Sequence, residues 1–563
     1  MMKKILFVFF IVYTACIHAQ NTPDMFAERI YLQTDKQLYL AGELVYLKVL
    51  TVTPEKQPLA FSKIAYVELL DEANSRVQVK INLTNGVGEG WLEMPVDLPT
   101  GHYRLIAYTR FMRNEGESVF FEKNIGVVNT FLSNQIKKAY TDVAPPEPEI
   151  YDRPTCSLQT DKSSYITREK GILKLEGLPD NIHTLSVSIA GKAPVMVEDA
   201  NEIGQWEKQI PAVFTQSSEK YLPEYEGHII AGKIVPVQIR TTSADEIVTP
   251  LLSFPGEKLY LFRGVRDDRN NVSFYTTNTA AVREVSTTAY NLTENTYRID
   301  LQSPFIEQHV KKQLPELKVD STHLADLLKR SFALQALYSY TKDQLTLYRP
   351  ADFRIGLELS KTYILDEWTR FTAMNEVVIE CIRELRFRRN DLQKNELWVQ
   401  TKKGNEFVWV KPLVVLDGIP IMDHDIIYRY NPLQVERINI YSSENIFQGM
   451  RFDGMVEFLT YGRNYPGLST GQSTQIVNYA GTQASRRLYA PDYSSEANRQ
   501  SRLPDNRHTL LWEPALQTNG KATLEIPFFT SDYSGGFQAT VEGLTKDGEI
   551  ISAMASFEVR NTN

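Results

Sequence analysis

The chain has 563 residues, with 61 Lys and Arg against 69 Asp and Glu, for a net charge of −8. At about 150 residues per domain, that length makes roughly three to five domains, each able to bury its own core. The mild acidity excludes the basic footprint of a nucleic-acid binder, and 29 Gly with 27 Pro is too ordinary for a disordered or collagen-like chain.

Lys3 and Lys4 precede the apolar run Ile5 to Ala15, which is too short to span a bilayer and fits the h-region of a signal peptide. A signal over residues 1–19, cleaved after Ala19, is expected, and with it a periplasmic protein associated with the outer membrane. The rival reading makes Cys16 a lipidated first residue, although Tyr13 stands where a lipobox carries an aliphatic residue. No later stretch reaches 18 consecutive apolar residues, so no other membrane-spanning helix is expected. Cys156 and Cys381 lie more than 200 residues apart in different expected domains, which argues against a disulfide framework.

Alternating runs separated by turn signals at Ala41-Gly42, Asn85-Gly86 and Leu98 to Gly101 predict an immunoglobulin-like β-sandwich over 27–130. A Pro-rich acidic linker follows over 140–154. Beyond it the chain repeats itself: LQTDKQLYLAGELVYLKV from Leu32 aligns without gaps to LQTDKSSYITREKGILKL from Leu158, with nine identities in eighteen positions. A second sandwich is expected over 155–220. Further strand-like runs give a third β-rich domain over 221–302.

Helical spacing at Leu324, Leu327, Leu328 and Phe332 predicts a helical connector over 303–365. The same spacing at Met374, Val377, Val378, Cys381, Ile382 and Leu385 opens an α+β region over 366–462. It buries Cys381 as a small hydrophobe and leaves Arg383, Arg386, Arg388 and Arg389 on a solvated helix C-terminus. A linker over 463–500 and a C-terminal sandwich over 501–563 complete the chain. The expected fold class is mainly β, with tandem immunoglobulin-like sandwiches, an inserted α+β domain and no transmembrane barrel.

Two resemblances add to this. The repeat openings Tyr31 to Val49 and Leu158 to Leu175, the segment Leu98 to Thr109, and the late run from Trp512 to Asp532 resemble the macroglobulin-type domains of alpha-2-macroglobulin and bacterial envelope relatives. Inhibitory members of that family trap proteases through a thioester in a CxEQ-type motif. Neither TCSLQ at Cys156 nor ECIRE at Cys381 matches it, so protease entrapment is not expected.

The segment Lys411 to Thr460 resembles the plug domain of TonB-dependent outer-membrane receptors. It does so through Pro412, through Leu416, Asp417, Gly418, Ile419 and Pro420, through Val435, Glu436, Arg437 and Ile438, and through Gly454 before a final strand. Read physically, Asp417-Gly418 fits the type I′ turn of a hairpin, Val435 to Tyr441 an alternating strand, and Gly454 a close backbone approach. A receptor barrel needs about 22 strands of roughly 10 residues, which residues 461–563 cannot supply.

No reactive constellation stands out. Gly467-Leu468-Ser469-Thr470-Gly471 has the nucleophile-elbow spacing without a following helical pattern, and reads as a linker. Asp423-His424-Asp425 reads as a solvated loop rather than a metal site. The expectation is therefore a non-enzymatic protein without cofactor or metal, whose plug-like region docks with a separate outer-membrane β-barrel transporter or translocon. The Leu416 to Pro420 hairpin and Val435 to Ile438 would lie at that contact. The alternative is a macroglobulin-like binder of a protease, peptide or glycan, with Trp91, Tyr260 and Trp512 as contacts.

Overall fold

The computed structural model describes residues 27–131, 140–141, 155–193, 197, 200, 202–212, 220–240, 247–277, 279–280, 282–291, 295–320, 323–340, 344–346, 358–391, 393–403, 406–443, 445–447 and 450–561. The expected signal over 1–19 with Cys16, and all of the 140–154 linker except Tyr140–Thr141, lie outside them. The molecule is mainly β, built from several sheets, and no helix among the described residues is long and apolar enough to cross a membrane.

Arg29–Thr34, Leu38–Leu40, Leu44–Val52, Ile64–Leu70, Ser75–Thr84, Val87–Glu93, Gly101–Tyr108 and Phe121–Val128 form a first sandwich around one core. Numbered in chain order, they lie side by side as 1-3-6-5-4-7-8-2. The chain changes sheet at Asp35 to Gln37: strand 1 pairs antiparallel with strand 3, and strand 2 then pairs parallel with strand 8.

This corner is what the sequence repeat encodes. Asp35 Oδ1 accepts hydrogen bonds from Tyr39 Oη at 2.8 Å and the Tyr46 amide at 3.1 Å. Glu43 Oε2 accepts from the Leu40 amide at 2.9 Å. In the second copy Asp161 Oδ1 accepts from Tyr165 Oη and the Ile172 amide, both at 2.7 Å, and Glu169 Oε2 accepts from the Ile166 amide at 2.7 Å. The shared Asp, Tyr and Glu satisfy backbone donors that the sheet change releases from the ladder.

The second copy closes differently from expectation. Ser157–Thr160, Ser164–Ile166, Lys170–Glu176 and Ile182–Gly191 take the places of strands 1 to 4, but their partners come from the far end of the chain. Lys170–Glu176 pairs with Thr523–Phe529, and Ile182–Gly191 pairs with both Thr509–Glu513 and Gly535–Thr545. Ser164–Ile166 runs parallel to Ile550–Arg560, as strand 2 does to strand 8. Residues 155–191 and 509–560 therefore form one discontinuous sandwich with a shared core, not the two separate sandwiches expected over 155–220 and 501–563. The connection that is a tight loop at 71–74 in the first sandwich is residues 192–508 in the second.

A second insertion is nested in that one. Two four-stranded sheets spanning Ile229 to Leu301 make a third sandwich, whose last strand, Thr474–Asn478, comes from the expected 463–500 linker. Between them the expected helical connector is helical only in part. Residues 303–319 run as an extended strap over the first sandwich, where Phe305 enters its core and Arg104 donates to the Val310 carbonyl at 3.0 Å. The helix Leu324–Tyr340 follows, with Leu327 and Arg330 buried, yet Phe332 is 72 % exposed rather than on the inner stripe.

The remaining insert, Lys361 to Thr460, is an α+β unit. A five-stranded sheet orders Lys361–Ile364, Val435–Tyr441, Met455–Thr460, Leu413–Leu416 and Ile419–Pro420. A three-stranded sheet of Leu385–Arg389, Asn395–Lys403 and Glu406–Val410 packs with it around a common core, together with the helices Met374–Cys381 and Asp425–Arg429. The helix Met374–Cys381 buries Met374, Val377, Val378 and Cys381 and stops there. Leu385–Arg389 is a strand, so Arg386, Arg388 and Arg389 are not a helix C-terminus.

Candidate functional site

The residues read from sequence as a docking surface are largely internal. Leu413–Leu416 and Ile419–Pro420 do form a hairpin, with Asp417 at φ 45° and Gly418 at φ 79°, both positive as a type I′ turn requires. Leu416, Asp417, Gly418, Ile419, Pro420, Val435, Ile438 and Gly454 are nevertheless buried. The hairpin tip faces the third sandwich: the Gly256 amide donates to the Asp417 carbonyl at 2.8 Å, and Arg437 pairs with Glu257 at 2.7 Å. Asp417 also accepts from the Thr460 amide at 2.8 Å and the Tyr465 amide at 2.7 Å. Gly454 has φ 142°, and a Cβ placed on it would stand only 3.0 Å from Val399 Cγ1. Glu436 is half-buried and pairs with Arg463. Turn and strand chemistry were readable, but what covers them was not, so this surface is an internal seam and no free docking face.

The other marked residues also serve packing. His424 is buried, and its Nδ1 accepts from the Leu397 amide at 3.0 Å; burial and then the Lys411 ammonium hold its imidazole down at about 4. Asp425 accepts from the Asn395 amide, so Asp423-His424-Asp425 clamps a strand rather than forming a solvated loop. Trp512 is buried beside Leu44 and Tyr46; the Trp91 indole donates to the Ala484 carbonyl at 3.2 Å, and Tyr260 rests on Phe254. Ser469 lies in an irregular segment between the strands Met455–Thr460 and Thr474–Asn478, so a strand and not a helix follows it.

A constellation with the groups of a catalytic centre does exist, where the first sandwich meets the third. The Tyr66 hydroxyl lies 2.9 Å from Glu224, whose Oε1 is 2.7 Å from His228 Nδ1; His228 Nε2 contacts Tyr479 Oη and lies 3.4 Å from Lys80 Nζ. Burial lowers Lys80 to about 7, partly opposed by Glu224, and lowers His228 as well. All five side chains are buried. The arrangement joins two domains.

The surface that differs from this packed background is the outer face of the three-stranded sheet. Strand alternation sends Leu385, Leu397, Val399 and Val410 into the core and leaves Arg386, Arg388, Trp398, Gln400, Phe407 and Trp409 on the other side. The Arg386 guanidinium lies 3.6 Å from the centroid of Trp409, and that of Arg388 lies 5.2 Å from Trp398. Arg386 Nε and Trp398 Nε1 are buried, with no hydrogen-bond partner among the described residues, and Phe407 is 67 % exposed. Sequence reading misses this face because LRFRR also suits the end of a helix. The signal is there: apolar and basic residues alternate with period two.

With this geometry in place, the chain can be set beside known proteins. No family model and no curated protein matches it. Solved structures do: alpha-2-macroglobulin of Escherichia coli activated by porcine elastase aligns over 95 % of this chain and 44 % of its own, at 10 % identity and a TM-score of 0.24. Salmonella alpha-2-macroglobulin reacted with methylamine aligns over 95 % and 40 %, at 8 % identity and a TM-score of 0.25. The Escherichia coli adhesin FdeC aligns over 50 % and 66 %, at 7 % identity and a TM-score of 0.15. The chain thus spans less than half the length of the two macroglobulins. Likeness at this level says nothing about activity.

Proposed function

We propose that this chain is a non-enzymatic, exported interaction protein of a cell envelope, in which the sandwiches are a scaffold and the α+β unit is the contact element. Its partner in this reading is an outer-membrane β-barrel protein, as the plug-like pattern of Lys411 to Thr460 suggests. One observation carries the reading: the unit bearing that pattern is inserted in the third sandwich and held at both ends, and its outer sheet face is an arginine–tryptophan surface that belongs to no core. A face built this way recognises partners without a reactive group. The buried hairpin positions the unit against its scaffold, and the contact with the partner falls on the outer face of the three-stranded sheet. Binding of a protease or glycan through Trp91, Tyr260 and Trp512 has no such support, because those rings are engaged in packing.

The test is co-purification from detergent-solubilised envelope. Full-length protein should bring down a stoichiometric barrel protein, and a variant with residues 361–460 replaced by a short linker should not, while its sandwiches still melt cooperatively. Equal capture by both would sink the reading.

A further inference from the structure

The strand Glu406–Val410 is the last of its sheet and, among the described residues, pairs only with Asn395–Lys403. Its other edge presents unpaired backbone groups, the template on which a further strand adds. Val408 and Val410 are half-buried on the inner side of this edge, and Phe407 and Trp409 stand on the outer side.

Arg386 gives the edge a charge. It starts on Leu385–Arg389, two strands away, and its guanidinium crosses the middle strand to lie 3.6 Å from the Trp409 ring centroid. Stacking occupies the flat face of a guanidinium and leaves its in-plane N–H groups to bind. Arg386 Nε and the neighbouring Trp398 Nε1 are covered by the protein itself, which leaves the two terminal nitrogens of Arg386 to meet a partner. The complement of that charge beside this edge is an anionic acceptor. A strand added about 4.8 Å beyond Glu406–Val410 would hold a carboxylate opposite Trp409 within reach of Arg386, in the forked pairing that arginine makes with carboxylates. Its alternate residues would meet Val408 and Val410 and have to be apolar.

We propose that the free edge of Glu406–Val410 takes up an extended segment of a partner protein, with Asp or Glu at every second position and β-branched apolar residues between them, and that Arg386 reads one of its carboxylates. This rests on the interaction reading above and names the kind of segment that the partner supplies.

The experiment titrates the full chain with the blocked peptide Thr-Glu-Val-Glu-Val-Glu-Thr, following tryptophan fluorescence and calorimetry, against the same peptide with Lys for Glu. The acidic peptide should saturate and the basic one should not. Arg386→Gln should weaken binding about tenfold or more, as loss of a charge-assisted pair implies, while its circular dichroism stays that of the parent. Two further peptides, N-methylated at all glutamates or at both valines, should differ sharply, because only one set of amides faces the edge of an added strand. Equal binding by the two methylated peptides, no preference for the acidic sequence, or no binding at all would overturn the inference. A captured barrel whose binding is indifferent to excess acidic peptide would defeat the edge while leaving the envelope reading standing. Peptide binding without any captured barrel would do the reverse.

Discussion

Asp35 and Asp161 hold the same place in two copies of one corner, yet they carry different loads. Both accept from a tyrosine four residues on and from an amide eleven residues on. Asp35 is also buried under Thr509, whose hydroxyl donates to it at 2.6 Å, and contacts Lys36 at 3.0 Å, whereas Asp161 is exposed. Asp35→Ala should therefore cost about 3 kcal/mol and Asp161→Ala about 1 kcal/mol, the difference between orphaning buried donors and exposed ones. Chemical denaturation of the two variants measures this. The repeated identities made the corner legible, but the letters alone could not tell which copy would be covered. Glu43 shows the same asymmetry: Arg330, from the helix Leu324–Tyr340, reaches it at 2.5 Å. Burial pushes the Glu43 carboxyl up, but Arg330 and then Lys36 outweigh it and hold it at about 2, below its ordinary 4.5. A depressed carboxylate stabilises the fold in full above pH 4.5 and loses that contribution as pH falls toward 2. Hydrogen exchange of the helix should show Glu43→Gln strongly deprotected at pH 7, with the gap to the parent closing below about pH 4.

Among the elements, the Asp417-Gly418 hairpin was legible to the residue, because few pairs accept two successive positive φ values. Its surroundings were not, since a turn motif has no way to state that Phe254 and Gly256 lie against it. A Cβ on Gly418 would stand 2.7 Å from the Phe254 carbonyl oxygen. Gly418→Val should thus cost about 3 kcal/mol from strain and collision, and should loosen the α+β unit from the third sandwich, seen as faster proteolysis between residues 463 and 473. The strand Leu385–Arg389 marks where element reading failed. Leu385 satisfies both a helical stripe continuing from Met374 and an alternating strand, and the helical reading takes it although the helix ends at Cys381. Exposed arginines suit a helix end equally well, so charge did not arbitrate.

At the scale of the whole molecule, order along the chain misleads. The repeat covers only the opening strands, and strands that close a sandwich carry no matching signature, so the pairing of Ile182–Gly191 with Thr509–Glu513 across the whole insert was invisible. The insert is tied down by contacts no local pattern encodes, chief among them Lys80 and Tyr66 of the first sandwich against Glu224, His228 and Tyr479. Burial holds Lys80 at about 7 against an ordinary 10.5, with Glu224 pulling the other way. Between those two values the unfolded chain binds more protons than the folded one, so stability rises with pH from about 7 upward. Lys80→Met should flatten that rise, measured as melting temperature against pH from 7 to 9.

The proposed function separates scaffold from contact: seams between units are buried and internal, and the proposed meeting point with the partner is the arginine–tryptophan face of the innermost insert. Photocrosslinking in the native envelope tests that division most directly, with the reactive group placed in turn at Phe407, on the exposed face, and at Val96, which is 60 % exposed on the first sandwich. A crosslink to an outer-membrane barrel protein is expected from Phe407 and none from Val96. A barrel crosslinked from Val96 alone, or no crosslink from Phe407, would contradict the division.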